Sequence, residues 1–172
     1  MKTTAAIGCI AFAILAAGCG ASSGRVAVSS TTDAKPTVTH TSAASLQQGV
    51  RAAIRANLEL SLYVLWHNEV PTWATRSTRG PALKALRAAA ASRRRQGIQI
   101  KNLRGHSKII SIELAPSYTN ATAEIRDTRS VAPYKAGKRL GRAIAGTDHS
   151  RVQLRRVGST TRFIVWSVSP IR

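Results

Sequence analysis

The hydrophobic pattern of this sequence changes its period at Gly97. Before Gly97, apolar residues recur every three or four positions, which is the spacing of one face of an α-helix. After Gly97, apolar and polar residues alternate in several short segments, as they do in strands with one buried face. Two helices followed by antiparallel strands predict an α+β domain in which the helices pack on a curved antiparallel sheet.

The first helix is expected to begin after Ser45, whose side-chain oxygen suits an N-cap, and to end between Trp66 and Asn68. The second helix is predicted to begin at Gly80-Pro81 and to close at Gly97. Proline suits the first helical position, and glycine suits the position after the last turn. The predicted apolar face of the first helix consists of Val50, Ile54, Leu58, Leu62 and Leu65.

The alternating segments predict four strands. The first begins at Ile98 and is expected to continue to Leu114 after a bulge or turn at Gly105. The apolar positions predicted in this strand are Ile98, Ile100, Leu103, Ile110, Ile112 and Leu114. Those predicted in the next two strands are Ala121, Ala123, Ile125, Val152 and Leu154. In the last strand we expect Phe163, Val165 and Ser167 on one side and Ile164, Trp166 and Val168 on the other.

Residues 1–18 have the organisation of a bacterial export signal. Lys2 supplies the positive start, and an apolar segment too short to cross a bilayer follows. The segment ends in Leu15-Ala16-Ala17-Gly18-Cys19, which resembles the site at which bacterial lipoproteins are cleaved and acylated. We therefore predict a lipoprotein signal peptide over residues 1–18 and lipidation of Cys19. The alternative is an ordinary signal peptide cut near Ala17 or Ala21.

Residues 19–43 are rich in Ser, Thr, Ala and Gly and hold almost no large apolar side chain. Such a segment cannot bury enough surface to fold, so it predicts a flexible linker behind the acylated cysteine. The folded domain is then expected over residues 44–172. Its predicted location is extracytoplasmic, attached by lipid to the outer face of the bacterial cell membrane.

The chain carries 26 Lys and Arg against 7 Asp and Glu, a formal net charge of +19. Such an excess attracts polyanions, so we expect anionic lipids, cell-wall polymers or an acidic protein as partners. Nucleic acid is less favoured, because the basic segments lack interleaved aromatic residues. Alternatively, the basic residues have no partner and form a charged hairpin that stays soluble because its like charges repel each other. The candidate anion-binding residues are Lys135, Lys138, Arg139, Arg142, Arg155 and Arg156.

No group of residues has the spacing of a catalytic or metal site, so the sequence predicts no catalytic residues, no metal and no cofactor. His67 and Glu69 follow the first helix, where they form either a proton-transfer pair or, as we favour, a solvated helix end. Asp127 is placed to enter a cavity, but Arg126 and Arg129 beside it favour a surface ion pair instead.

The order of elements resembles the nuclear-transport-factor-2-like (NTF2-like, or SnoaL-like) cone fold, in particular small lipoproteins and Mce-associated or conjugation-type accessory proteins of high-GC bacteria. The residues that carry the resemblance are the long helix ending in Tyr63-Val64-Leu65-Trp66, the basic helix closing at Gly97, the hairpin from Ile109 to Asp127, and the final strand with its Trp-x-Val pattern. The resemblance implies a cone whose mouth holds an Asp, Glu or His in enzymatic members. Many other members are binding or assembly modules.

Three functions follow as hypotheses. The first is a non-enzymatic, membrane-anchored accessory or scaffold module that binds an anionic partner through its basic faces. The second is a small-molecule-binding pocket protein or SnoaL-like enzyme, which requires a sizeable cavity with a buried acid or histidine. The third is extracellular DNA binding. The sequence leaves the ligand and the oligomeric state open.

Overall fold

The computed structural model describes residues 41–171. Residues Thr41–Arg172 form a compact unit of their own. The predicted signal peptide, Cys19 and the linker up to His40 lie outside the described residues. Ala43, the last residue of the predicted linker, already belongs to the first helix.

Two α-helices, a short 3-10 helix and five strands make up the described chain. In chain order they are α1 (Ala43–His67), the 3-10 helix (Thr72–Arg76), α2 (Gly80–Gln96), β1 (Ile98–Leu114), β2 (Asn120–Lys135), β3 (Lys138–Arg139), β4 (Ile144–Arg156) and β5 (Phe163–Pro170). The strands form one antiparallel sheet in the order β1-β2-β4-β5, with β3 paired to the end of β2. The predicted α+β class is confirmed: the helices pack on a curved, open sheet that is consistent with an NTF2-like cone.

The N-cap of α1 is Ser42 and not the predicted Ser45. Ser42 has an extended backbone, and its Oγ accepts a hydrogen bond from the amide of Ser45 at 3.1 Å. Ser45 therefore lies inside the helix, and its amide is the group that Ser42 caps. Both serines suit the role, and the two alanines between them favour helix, so the local sequence does not distinguish the two starts.

The other helix ends are confirmed. α1 ends at His67, and Asn68 follows it in the left-handed conformation with φ 56°. α2 has Pro81 in its first turn and ends before Gly97, which is also left-handed with φ 65°. These are the conformations for which proline and glycine are suited at the two ends of a helix.

The irregularities of β1 lie at Leu103 and Ile110 and not at Gly105. The pairing of β1 with β2 skips these two residues, so each of them is an extra residue in the strand. An extra residue shifts the alternation of faces, and Leu103 and Ile110 are consequently 40% and 47% exposed. Ile109 packs against the core instead of the predicted Ile110.

β5 also contains an extra residue, and the side chains that face the core therefore differ from those predicted. The pairing of β4 with β5 skips Trp166. As a result Val168 packs against the same core as Phe163 and Val165, whereas it was predicted on the opposite side. Ser167 lies on the other face, where its hydroxyl donates to Gln153 Oε1 at 2.9 Å.

The main core lies between α1 and one face of the sheet. Its buried members include Leu46, Val50 and Ile54 from α1, and Ala121, Ala123, Ile125, Val152, Leu154, Phe163 and Val165 from the strands. A second cluster joins the two helices and the 3-10 helix through Leu60, Val64, Ala74, Leu83 and Ala90. Both clusters lie wholly within the compact unit, so we expect this unit to fold without residues 1–40.

The segment before α2 covers the edge of β5. The amide of Val165 donates to the carbonyl of Ser77 at 2.8 Å, and the amide of Arg79 donates to the carbonyl of Val165 at 2.9 Å. Thr78 between them is fully buried, and its Oγ1 accepts from Asn57 of α1 at 2.8 Å. These bonds protect part of an otherwise open sheet edge and couple it to α1.

Asn68 connects both helix ends to the start of β1. Its Nδ2 donates to the carbonyl of Ile98 at 2.7 Å, and its Oδ1 accepts from Arg93 Nε at 3.1 Å. Arg93 Nη2 also donates to the carbonyl of Val64 at 3.2 Å, and Arg94 donates to the carbonyl of Asn68 at 2.9 Å. Burial lowers the pKa of Arg93. Two cations from the last turn of α2 therefore satisfy acceptors at the end of α1.

We predict that Gly49→Ala destabilises the domain, although alanine is the better helix former by about 1 kcal/mol. A Cβ at Gly49 would lie 1.8 Å from the carbonyl oxygen of Thr161, so the helix must move away from the sheet. The expected loss is about 2–3 kcal/mol in the free energy of unfolding, measured by urea denaturation. Gly146→Ala is the matched control, because a Cβ there meets open space. Equal stability of the two variants would contradict the close packing of α1.

Arg93→Ala is expected to lower the free energy of unfolding by about 2–3 kcal/mol, since it removes two charge-assisted bonds and leaves Asn68 Oδ1 without this donor. Arg95→Ala, in the same helical turn but exposed, serves as the control. Urea titrations of both variants measure the difference. If Arg93→Ala is as stable as Arg95→Ala, the junction at Asn68 does not hold the helix ends.

Candidate functional site

The six predicted anion-binding residues lie at opposite ends of the sheet. Arg155 pairs with Asn120, the first residue of β2, whereas Lys135 is the last residue of that strand. The two positions are 15 residues apart along β2 (135 − 120). This separation corresponds to up to about 50 Å in an extended strand. The six residues therefore form two groups and not one site.

The first group consists of Lys135, Lys138, Arg139 and Arg142. Lys135 and Lys138 face each other across the turn Ala136–Gly137, whose residues both have positive φ, 48° and 76°. Residues 135–138 therefore form a tight hairpin, whose turn is of the kind that best follows the twist of paired strands. All four side chains are exposed.

The second group is occupied by contacts within the domain. The guanidinium of Arg155 lies 3.6 Å from the centroid of the Trp166 ring, which places it in a cation–π contact. Arg156 donates to the carbonyl of Thr160 at 2.5 Å and to that of Ser159 at 2.8 Å. Arg156 therefore stabilises the turn between β4 and β5, a role that its charge in the sequence does not reveal.

A row of cationic and titratable side chains, which we call the outer row, was missed by the sequence analysis. Lys108 pairs with Arg126, and Arg126 pairs with His149, so the three exposed side chains stand side by side across β1, β2 and β4. Arg126 Nε donates to His149 Nε2 at 2.5 Å. Directly opposite cations repel, so this row lowers stability. Alternation predicts that Arg126 faces away from the core, but only the register shows which residues stand beside it.

Most of the positive charge in the domain has no ionic partner. Residues 41–171 hold 22 of the 26 basic and 6 of the 7 acidic side chains. Within this part of the chain two ion pairs form, Asp127 with Arg129 and Glu124 with Arg151, the latter at 3.0 Å. The surface therefore presents a strong positive field to any anion that approaches it.

Tyr63 connects His67 and Glu69. The Tyr63 hydroxyl donates to Glu69 Oε1 at 2.7 Å, while its ring stacks on His67 with centroids 4.2 Å apart. The hydrogen bond to Glu69, partial desolvation and the charge of Glu69 all raise the pKa of Tyr63. His67 and Glu69 are both exposed, an arrangement that agrees with a solvated helix end.

Asp127 forms the predicted ion pair with Arg129, but the pair is half-buried and does not lie at the surface as expected. The two side chains are only 17% and 15% exposed, and Ser107 donates to Asp127 Oδ1 at 2.6 Å. Asp148 lies directly opposite Asp127 on β4 and is exposed. Both carboxyl oxygens of Asp127 are thus engaged in contacts that hold the sheet, which leaves this acid a structural role.

Two shallow depressions, of about 320 and 280 Å³, lie at the beginning of β2 and share the lining residues Asn120, Ala121 and Thr122. The larger one is also lined by Arg155 and Trp166. Neither depression is lined by a residue of α1 or α2. Neither is lined by a buried acid or histidine, so neither is the cavity that the pocket hypothesis requires.

Within residues 41–171, no three His, Cys, Asp or Glu side chains come together as metal ligands. No helix in this part of the chain is long and apolar enough to cross a membrane. The predicted lipidation site, Cys19, lies outside the described residues.

Comparison with known proteins supports the fold. No protein-family model matches the chain, and no curated protein sequence is significantly similar to it. The intermembrane-space region of the chloroplast protein ARC6 superposes with a TM-score of 0.60 at 12% identity, over 72% of this chain and 95% of that chain. Aln2 from a Streptomyces species has a TM-score of 0.45 at 16% identity, over 72% of this chain and 90% of that chain. A protein from Catenulispora acidiphila has a TM-score of 0.46 at 14% identity, over 73% and 92%. At 12% identity the likeness to the ARC6 region concerns the fold alone.

We expect Asp127→Ala to lower the free energy of unfolding by about 2–3 kcal/mol, because it leaves the half-buried Arg129 without its counter-charge. Asp148→Ala, which removes the carboxylate directly across the strand pair, is expected to change it by no more than about 0.5 kcal/mol. Urea denaturation measures both. Similar losses for the two acids would mean that the ion pair is not what holds this part of the sheet.

Proposed function

We propose that this chain is a membrane-anchored, extracytoplasmic lipoprotein whose folded domain is a non-enzymatic accessory or scaffold module for an anionic partner. The candidate partners are anionic lipid, a cell-wall polymer and an acidic protein. The single observation that carries the proposal is the uncompensated charge: 22 basic side chains against 6 acidic ones in residues 41–171, with two ion pairs among them.

The distribution of this charge favours an extended partner over a small anion. Exposed cations occur on the hairpin at Lys135 and Lys138, in the outer row at Lys108 and Arg126, and at Arg95 near the end of α2. They lie on different elements and do not converge on a pocket. A polyanionic surface meets several such groups at once, and each basic residue near an anionic membrane contributes about 1 kcal/mol.

With the predicted lipid anchor, weak contacts are sufficient to keep the domain on the membrane surface. A flexible linker of about 23 residues between Gly20 and Ser42 has a root-mean-square length of about 26 Å. A domain held this close to a surface meets it at an effective concentration in the millimolar range. Charge contacts that would be weak between free molecules then keep the domain on the surface.

The other two hypotheses differ in what they require. A pocket protein or SnoaL-like enzyme needs a sizeable cavity with a buried acid or histidine. No acid or histidine lines the larger depression at the start of β2, and Glu113, which lines the smaller one, is exposed. Extracellular DNA binding needs only the charge, and it is distinguished by preference for duplex DNA over anionic vesicles at equal salt.

We predict salt-dependent binding of the cysteine-free fragment from Gly20 to Arg172, which contains the whole compact unit. Its affinity for vesicles containing anionic lipid is expected to fall at least about tenfold between 50 and 150 mM salt, because surface charges are screened. Vesicle co-sedimentation measures the binding, and vesicles of neutral lipid are the control. The proposal fails if the fragment binds no anionic vesicle, cell-wall polymer or acidic protein at low salt.

The predicted anchor has a separate test. Mass spectrometry of the membrane fraction is expected to show a chain that begins at a diacylated or triacylated Cys19, and Cys19→Ser is expected to prevent this modification. Cys9→Ser is the matched control, since Cys9 lies within the predicted signal peptide. An uncleaved, unmodified chain in the soluble interior of the cell would rule the anchor out.

A further inference from the structure

The far end of β2 gathers four apolar side chains on one face of the sheet. Val131 pairs with Ile144 of β4, and the amide of Leu140 donates to the carbonyl of Pro133 at 2.8 Å. Val131 and Pro133 are two positions apart in β2 and therefore point to the same side. Paired residues share a face, so Ile144 and Leu140 stand beside them.

Two of these side chains belong to the exposed large apolar residues of the domain. Ile144 is 51% exposed and Leu140 is 41% exposed. They lie next to each other along the same edge of β2, with Val131 and Pro133 half-buried between them and β1. Adjacent exposed aliphatic groups indicate a contact surface more strongly than scattered ones.

The helices do not cover this face. At the beginning of β2, Ala121, Ala123 and Ile125 pack with α1. Near its end, Ala132 is fully buried and Tyr134 packs edge-on against Trp66 of α1, with ring centroids 5.8 Å apart. The strand thus presents odd-numbered residues to α1 at one end and even-numbered residues at the other, as the twist of a long strand requires. The face of Val131 and Pro133 is turned away from α1.

Cations border the apolar side chains. Lys135 and Lys138 pair with each other across the turn. Lys135 lies two positions after Pro133, and Lys138 lies two positions before Leu140, so both lysines are on the same face as the apolar side chains. Arg142 lies in the short bend between Leu140 and Ile144. The nearest acid along this face of β4 is Asp148, four residues from Ile144, which corresponds to about 13 Å. We call these seven residues the hairpin patch: Val131, Pro133, Leu140, Ile144, Lys135, Lys138 and Arg142.

The chemistry of the hairpin patch matches an anionic bilayer better than it matches a soluble polyanion or a second copy of this chain. Aliphatic side chains bordered by cations suit the boundary between acyl chains and phosphate headgroups. A soluble polyanion would pair with the cations but would leave Leu140 and Ile144 in water. A second copy of the same face would bring Lys135 and Lys138 against like charges.

We propose that the hairpin patch docks the domain on the surface of an anionic lipid bilayer, with Leu140 and Ile144 inserted below the headgroups. This inference rests on the proposed function and deepens it, because it selects lipid among the anionic partners and names the contact surface. The predicted linker, about 23 residues long, extends to about 75 Å and so allows either end of the domain to reach the membrane.

The first experiment reports on insertion at a single position. The fragment from Gly20 to Arg172 has no cysteine, so Leu140→Cys carries one environment-sensitive dye. Vesicles with anionic lipid are expected to shift its emission to the blue. Tyr118→Cys is the control, because Tyr118 is similarly exposed, at 43%, but lies in the turn that precedes the start of β2. Its dye is expected to show no shift.

The second experiment measures the apolar contribution. The double variant Leu140→Ser/Ile144→Ser is expected to bind anionic vesicles about tenfold more weakly than the parent fragment. Its affinity for duplex DNA, a polyanion without an apolar phase, is expected to stay within about twofold. Ile110→Ser, which removes an equally exposed isoleucine elsewhere on the sheet, is the matched control. Circular dichroism melts confirm that each variant is folded.

The outcomes separate this inference from the proposed function. If the parent fragment binds no anionic partner, both fail. If it binds anionic vesicles but the dye at position 140 does not respond and the double variant binds normally, only the hairpin patch is overturned. The same holds if the dye responds to protein concentration without vesicles and sedimentation shows a dimer, since the patch is then an interface between two copies.

Discussion

The structure depends on β2, a 16-residue strand that pairs with β1 along one edge and with β4 and β3 along the other. A strand of this length twists enough to turn a given face around, so no single helix can cover that face throughout. The core therefore forms where Ala121, Ala123 and Ile125 meet α1. At the other end the corresponding face emerges into solvent with Val131 and Pro133.

Close backbone packing and polar contacts fix the helices to the strands. Gly49 brings α1 against the backbone near Thr161, and Asn68 connects the end of α1 to α2 and β1. The arginines at the end of α2 have different roles. Arg93 satisfies acceptors at the end of α1, whereas Arg95 is exposed. Part of the large basic excess is thus used to build the fold, and the rest is available to the anionic partner that we propose.

The basic side chains of the domain differ in whether the fold uses them. Arg156 stabilises a turn, Arg155 packs on Trp166, and Arg129 neutralises Asp127. The hairpin cations Lys135 and Lys138 have no such role in the described residues, and they border exposed aliphatic side chains. This difference between occupied and free cations is the basis for preferring a docking surface at the hairpin over the second predicted group.

The sequence by itself determined the α+β class, the C-terminal end of α1, both ends of α2 and the core residues at the beginning of β2 and in β4, because helical and strand periods and the conformations of Pro and Gly are local properties. It did not determine the start of α1 or its buried face, where Leu60 and Val64 are buried in place of the predicted Leu62 and Leu65. It did not determine the extra residues at Leu103, Ile110 and Trp166. No residue type marks these bulges in the sequence, because their positions depend on the pairing with the neighbouring strand. The outer row and the hairpin patch were decided by the tertiary structure alone. Which side chains stand together across strands is set by register and twist, and these arise only when the whole sheet assembles.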